Sequence, residues 1–548
     1  MNYLEKYDLW IKQENLDPRI EEVLLKMTDQ EKKEAFTNDM EFGTGGMRGI
    51  LGAGTNRLNI YIIRKASYGF GLWLKEQSKN PSAVIAYDNR HYSKEFASET
   101  AKVFASMGIK AYVCSDLRPT PFLSFAVREL HATGGVMITA SHNTKEYNGY
   151  KIYDSEGCQL VPRLADQVIE KINAVENVFA IETDKNPSFI GGVSEDVDRK
   201  YMDMVEEISL RNDDKNIKVV YTPLHGTGSV FAPKILRELG YDVTCVEEQM
   251  VHDPDFSSVS SANPENKQAF DKAIALGKEA NADILLANDP DADRLGIAPL
   301  HNGEYVLLTG NQTAAIVLKY LLDNTKVIPE NSYMFTTIVS SNLPTKIALK
   351  NGLKVKEVLT GFKFIGEQAA LIEKTGNYFF GFEESYGCLV SDKVRDKDAM
   401  QASLMACEAC NYYKAQGKTL VDVLYELYEE YGYHIEGLEN IVLKGLDGAE
   451  KIQKIMDYFR NNEINISGIK VKEDYKLQTV TGSNKKIDLP KSNVIKYILD
   501  DESWFILRPS GTEPKLKIYF GVNALTMNLA TARLEEIRKN VLEIINQI

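Results

Sequence analysis

Along most of the chain, short runs of apolar and β-branched residues alternate with longer stretches in which apolar positions recur every three or four residues. The first kind of run predicts strands and the second amphipathic helices. The stretch AVIAY at 83–87 reads as a strand running into the polar loop DNRH at 88–91, with a helix from about Ser93. GVMIT at 135–139 reads as a strand running into ASHN at 140–143. Further strands are predicted at 217–221 (IKVVY), 283–287 (DILLA), 333–339 (YMFTTIV), 354–359 (KVKEVL) and 378–380 (YFF). Each runs into a loop of Gly, Ser, Asn or charged residues. This alternation implies α/β units around parallel or mixed sheets, in which ligands bind at the carboxyl ends of strands.

The C-terminal region departs from this pattern. WFIL at 504–507 and the alternating KLKIYF at 515–520 flank a tight loop, and a helix follows from about Thr526. That reads as a smaller α+β unit.

With 548 residues, and roughly 100–200 residues per domain, the chain is long enough for about three to five domains. Hydrophobic residues make up 44% and charged ones 26%, the balance of a soluble globular protein. The apolar runs stop well short of the ~20 residues of a membrane span. The first residues, MNYLEKYDLWIKQENLD, are mixed in charge and unlike a signal peptide. Six cysteines occur, at 114, 158, 245, 388, 407 and 410. Cys407 and Cys410 form a CxxC inside a helical pattern, without a second pair at zinc-site spacing, so core packing is the simpler reading. A cytoplasmic location is expected. The net charge of −14, from 64 basic and 78 acidic residues, argues against a nucleic-acid partner. It leaves room for a small anion gripped by a local cluster of Arg and Lys.

Four stretches carry candidate chemistry. In NDPDADR at 288–294, Asp289, Asp291 and Asp293 alternate directly after a buried-type strand. Three such carboxylates can converge on one hard cation such as Mg²⁺, although a solvated acidic turn has the same composition. TASHN at 139–143, followed by YNGYK at 147–151, places Ser141 just past a strand end with His142 and Lys151 near it. Ser141 is therefore a candidate nucleophile or phosphate carrier, or the centre of an ordinary turn. RPSGT at 508–512, with Lys515 and Lys517 beyond, combines an Arg fork, two hydroxyls and a glycine, the makings of a phosphate cradle. GFEESYG at 381–387, followed by RDKD at 395–398, offers Glu and Ser on a glycine-bounded loop for hydrogen bonds to sugar hydroxyls, but a surface turn and a solvated charge run fit equally well. The glycine-rich EFGTGGMRG at 41–49 is neither a Walker A motif nor a dinucleotide fingerprint.

Taken together and in this order, TASHN, DPDADR, FEES and RPSGT closely resemble the α-D-phosphohexomutase superfamily over nearly the whole chain. FGTGGMRG, GFEESYG and RDKDA are most similar to its phosphoglucomutase and phosphopentomutase branch. The resemblance implies three similar α/β domains with mixed sheets plus a smaller C-terminal α+β domain around a central cleft, at 1–208, 209–324, 325–434 and 435–548. It implies that Ser141 is phosphorylated and that its phosphate, Asp289, Asp291 and Asp293 hold Mg²⁺. Glu383 and Ser385 would read sugar hydroxyls, and Arg508, Ser510, Gly511 and Thr512 would grip the phosphate that is not reacting. Lys151 and Lys397, with His142, would serve proton transfer or phosphate contact. Arg48, Arg90, His91, Arg294, Thr360, Gly361 and Lys363 would line the cleft. The implied reaction interconverts glucose 1-phosphate and glucose 6-phosphate, with glucose 1,6-bisphosphate as intermediate and activator. A pentose or mannose phosphate, a hydrolase using the same metal loop, or a sugar-phosphate-binding protein without catalysis are the alternatives. Two departures bear on this: Thr144 stands where many relatives have proline, and Phe382 separates Gly381 from the glutamates.

Overall fold

The computed structural model describes residues 1–43, 45–443, 446–510 and 515–548. Four sheets follow one another along the described chain. The first has the strand order Met47–Ile50, Tyr147–Tyr153, Gly134–Ile138, Ser82–Tyr87, Lys110–Val113, Ile190–Gly192. The second runs Glu304–Tyr305, Leu295–His301, Ile284–Asn288, Lys218–Thr222, Asp242–Cys245. The third runs Lys354–Val358, Ser332–Thr337, Asn377–Glu383, Gly387–Leu389.

These three sheets share one device. In each, a strand parallel to its inner neighbour turns straight back into an antiparallel partner. Gly134–Ile138 returns as Tyr147–Tyr153, Ile284–Asn288 as Leu295–His301, and Asn377–Glu383 as Gly387–Leu389. The connecting loops are those that hold Ser141, the three aspartates, and Glu384-Ser385-Tyr386. All three chemically suggestive loops thus occupy one topological position, at the carboxyl end of a buried strand.

The fourth sheet is antiparallel throughout, ordered Tyr433–Val442, Lys515–Ala524, Trp504–Pro509, Ile495–Leu499, Ile469–Asp474, Thr479–Val480. Helices Leu446–Asn461 and Met527–Gln547 accompany it. One apolar core passes continuously through the first three units, including Phe122, Tyr201, Val219, Phe335 and Leu404. The fourth unit also has a core of its own around Ile455, Phe505, Ile518 and Ile537. This matches the expected fold class.

Some boundaries differ from the hydrophobic pattern. The strand expected to reach Val339 ends at Thr337, because Ser341 caps the next helix, Asn342–Lys350, and the chain must turn first. The short run at 378–380 lies within a seven-residue strand, Asn377–Glu383. Cys407 and Cys410 are buried within the helix Ala399–Lys414. No helix among the described residues is long and apolar enough to cross a membrane.

Candidate active site

Ser141 sits in the left-handed region, φ +52°, a conformation that costs a non-glycine residue energy and persists only where its surroundings enforce it. The enforcement is visible. Its N–H donates to Thr139 Oγ1 at 2.8 Å, and Arg90 donates to the carbonyls of Ser141, Asn143, Thr144 and Tyr147. Asp88 in turn lies 3.3 Å from Arg90 Nε. The loop is thereby threaded on one guanidinium. The result aims Ser141 Oγ at Asp289 Oδ2, 2.8 Å away, and 3.1 Å from His142 Nδ1. Burial first, then the Arg294 and Arg48 charges, hold the His142 imidazole well below its ordinary pKa, so it is neutral.

Asp289, Asp291 and Asp293 are all buried, with one carboxylate oxygen of each within 4.8 Å of the others. Asp289 Oδ1 accepts from the backbone N–H groups of Asp293 and Arg294, which closes the loop on itself. Asp291 Oδ2 accepts from Lys151 Nζ and Thr120 Oγ1, both at 2.9 Å. Asp291 Oδ1 and Asp293 Oδ1 are buried and have no hydrogen-bond partner. Orphaned buried carboxylate oxygens are costly, and two beside a third carboxylate suit a divalent cation with oxygen ligands. Burial and then Asp293 and Asp291 push Asp289 well above the usual carboxylate range. Asp291 is held below it: burial works the other way, but Lys151 and the hydrogen bonds outweigh it.

The lysines join this centre to the loop that holds Glu383 and Ser385. Lys397 Nζ lies 3.1 Å from Asp293 Oδ2 and 3.4 Å from Glu383 Oε1. Lys151 Nζ is 3.7 Å from the same Asp293 oxygen. Ser385 Oγ donates to Glu383 Oε1 at 2.9 Å. The loop itself rests on Gly310, where a Cβ would come within 2.4 Å of the Glu384 carbonyl oxygen and 2.6 Å of the Tyr386 nitrogen. Phe382 is fully buried on its strand, and Glu383 stands at the strand end. Arg294 reaches the aspartates at 3.9–4.0 Å and is anchored by Glu265 at 2.6 Å.

Arg48 lies exposed beside the serine loop, Nη1 donating to Asn143 Oδ1 at 2.8 Å. Lys363 and Arg508 approach from the third and fourth units; burial and then the Arg508 charge pull Lys363 down to about 8. Thr360 Oγ1 is buried without a partner, and Gly361 takes φ +121° at the head of the helix Phe362–Ile372. Ser510 donates its N–H to the Lys515 carbonyl. Gly511 and Thr512 lie outside the described residues.

The Arg90 side chain is fully buried and committed to the loop carbonyls, so it shapes the serine loop. His91 is half-exposed and pairs with Asp255 at 3.2 Å, at the contact between the first and second units. Three residues of this site lie outside every stretch singled out in the sequence: Thr120, Glu265 and Tyr153. Only Thr120 carries a local signal, since prolines on both sides mark a helix start.

The sequence matches, in order, alpha/beta/alpha domains I, II and III of the phosphoglucomutase/phosphomannomutase family at residues 39–179, 199–302 and 309–431, and the family's C-terminal domain at 467–536. The chain belongs to this family. Its place in the phosphoglucomutase/phosphomannomutase family is supported by a phosphoglucomutase of Staphylococcus aureus (strain MRSA252), 42% identical over 524 residues, 93% of this chain and 94% of that protein. The fold is that of the Paramecium phosphoglucomutase pp63/parafusin in its open form, with a TM-score of 0.69 at 20% identity over 93% of this chain and 96% of that one. A phosphoglucomutase/phosphomannomutase family protein of Burkholderia thailandensis gives 0.68 at 17% identity over 92% and 97%.

Proposed function

We propose that this isomerase interconverts glucose 1-phosphate and glucose 6-phosphate, using Ser141 as the phosphoryl carrier and glucose 1,6-bisphosphate as the intermediate and activator. The observation that carries the reading is the approach of Ser141 Oγ to within 2.8 Å of Asp289 in a buried three-carboxylate centre. The 42% identity to a phosphoglucomutase supports glucose as the sugar.

The donor set fits Mg²⁺: three buried carboxylates, two of them with unpartnered oxygens. Bound by Asp289, Asp291, Asp293 and a phosphoserine oxygen, the ion would neutralise charge on the transferring phosphoryl group. The remaining work falls to the chain. Glu383 and Ser385 orient the sugar, and Arg508, Ser510, Gly511 and Thr512 hold its distal phosphate. A sugar hydroxyl attacks the phosphorus, the P–Oγ bond of Ser141 breaks, and the new P–O bond to the sugar forms. The hydroxyl proton passes to a lysine or histidine of the site, and Ser141 Oγ, 3.1 Å from His142 Nδ1, takes up a proton as its bond to phosphorus breaks. The bisphosphate then turns over, and its other phosphate returns to Ser141 by the reverse sequence. Phosphoryl transfer of this kind rests on positioning and charge stabilisation.

The six cysteines are buried free thiols, which suits a reducing compartment such as the cytoplasm. The reading is tested by incubating the protein with glucose 1-phosphate, Mg²⁺ and a trace of glucose 1,6-bisphosphate. Glucose 6-phosphate should accumulate. Free phosphate in its place would identify a hydrolase, and faster turnover of mannose or pentose phosphates would reassign the sugar.

A further inference from the structure

Lys397 stands between two carboxylates that each receive a phenol from outside its own sheet. Tyr153 OH donates to Asp396 Oδ2 at 2.9 Å, and Tyr201 OH donates to Asp398 Oδ1 at 2.9 Å. Both tyrosines are fully buried. Asp398 is also the N-cap of the helix Ala399–Lys414, accepting from the Met400 and Gln401 N–H groups. Its tie to Tyr201 therefore belongs first to the helix. Asp396 has no such duty. Its Oδ1 accepts the backbone N–H of Lys397 at 2.9 Å, and its Oδ2 takes the Tyr153 phenol. One carboxylate thus links a tyrosine of the first sheet to the lysine's own backbone.

The placement of Tyr153 is specific. It lies two residues beyond Lys151 on Tyr147–Tyr153, so both side chains leave the same face of the strand. Lys151 goes to Asp291, and Tyr153 to Asp396 beside Lys397. A single strand therefore sets both lysines of the site. Burial, then the Asp396 charge, raise the Tyr153 phenol well above its ordinary pKa, so it remains a donor. The surrounding segment is fixed as well. The Arg395 N–H donates to Ser124 Oγ at 2.8 Å, and Gly366 packs so closely on the Arg395 carbonyl that a Cβ would lie 2.2 Å from it. The Lys397 side chain passes over Gly387, where a Cβ would meet its Cδ at 2.3 Å.

We infer that Tyr153, acting through Asp396, is a positioning residue that fixes Lys397 Nζ between the metal-binding carboxylate Asp293 and the sugar-reading carboxylate Glu383. The inference rests on the proposed mutase reading. A plain staple between the first and third units would stabilise the fold equally in the presence or absence of the lysine. A positioning residue matters to turnover only while Lys397 is there to be positioned.

The test is a double-mutant cycle on the full chain with Mg²⁺ and glucose 1-phosphate. Tyr153→Phe should lower kcat about tenfold, the scale of losing a hydrogen bond behind a site residue, and leave KM and the Mg²⁺ activation constant within about twofold. In the Lys397→Met background, Tyr153→Phe should cost nothing further. Asp396→Asn, which keeps one acceptor oxygen where two are needed, should show the same loss and the same non-additivity, and it serves if the Phe variant loses its melting transition. An undiminished kcat in Tyr153→Phe, or a full tenfold loss persisting without Lys397, overturns the inference. Absence of conversion by the unmutated protein would instead refute the mutase reading itself.

Discussion

Thr120 gives Asp291 two hydrogen bonds from a different unit: its Oγ1 donates to Asp291 Oδ2 and its N–H to the Asp291 carbonyl, both at 2.9 Å. The helix Thr120–Glu129 of the first unit thus begins on the aspartate loop of the second. Groups that orient a ligand's carboxylate change metal affinity by about 10–100-fold. Thr120→Val keeps the shape and the backbone bond and removes the hydroxyl. It should raise the Mg²⁺ concentration for half-maximal activity roughly tenfold, with kcat at saturating metal within about threefold. Titration of activity with Mg²⁺ checks this.

Arg90 makes a contrasting prediction. A cleft arginine that holds substrate should, when removed, raise KM. A buried arginine that threads the serine loop should lower stability and kcat together. Arg90→Ala leaves carbonyls of Ser141, Asn143, Thr144 and Tyr147 without their donor and Asp88 without its cation. The cost of breaking such a buried pair is about 3–5 kcal/mol. Thermal melting should show it, and kcat should fall at least as steeply as kcat/KM.

Gly310 has no room for a side chain beneath the sugar loop. Gly310→Ala should displace Glu384 and Tyr386, and with them the register of Glu383 and Ser385. KM for glucose 1-phosphate should rise about tenfold or more, because a misplacement near 1 Å is expensive in a site built on orientation. Reactivity of Ser141 toward glucose 1,6-bisphosphate phosphoryl transfer should persist, measured as phosphoserine on the intact protein.

Glu436, on the first strand of the fourth sheet, lies against Asn311 and Ser341 of the third unit. Burial pushes its carboxyl up to about 7, while hydrogen bonds from Ser341 and Asn311 work the other way. A carboxyl with a raised folded-state pKa gives stability that is complete below its ordinary value near 4.5 and is lost as pH rises through about 7. Relative to Glu436→Gln, the unmutated protein should therefore lose melting temperature between pH 5 and pH 8. The difference corresponds to at most about 2–3 kcal/mol. Differential scanning across that range measures it; a pH-independent difference would contradict the assignment.

The parts of this site visible in the sequence are those that sit on a strand end. Asp289, Asp291 and Asp293 alternate after an apolar run, Ser141 follows another, and the turn that places them is written locally. The repetition of one hairpin in three sheets is not written locally, because the loops share topology and not residues. RDKD looked equally like a surface charge run, yet Arg395, Asp396 and Asp398 are buried. Their partners Ser124, Tyr153 and Tyr201 are more than 190 residues away, and only long-range folding brings them together. Arg90 meets the same limit: a cation beside a cleft and a cation that threads a loop have one spelling. The run 378–380 marks only part of its strand because Gly381 interrupts the aromatic pattern before Phe382 and Glu383.

The central claim is that Ser141 carries the phosphoryl group between two positions of one sugar. It is tested most directly by loading Ser141 with a radiolabelled phosphoryl group, removing free label, and adding unlabelled glucose 1-phosphate with Mg²⁺. The account predicts that label leaves the protein and appears in glucose 1,6-bisphosphate and glucose 6-phosphate, with none transferred when Ser141→Ala protein is taken through the same steps. Label that stays on the protein during turnover, or that leaves only as inorganic phosphate, would contradict it.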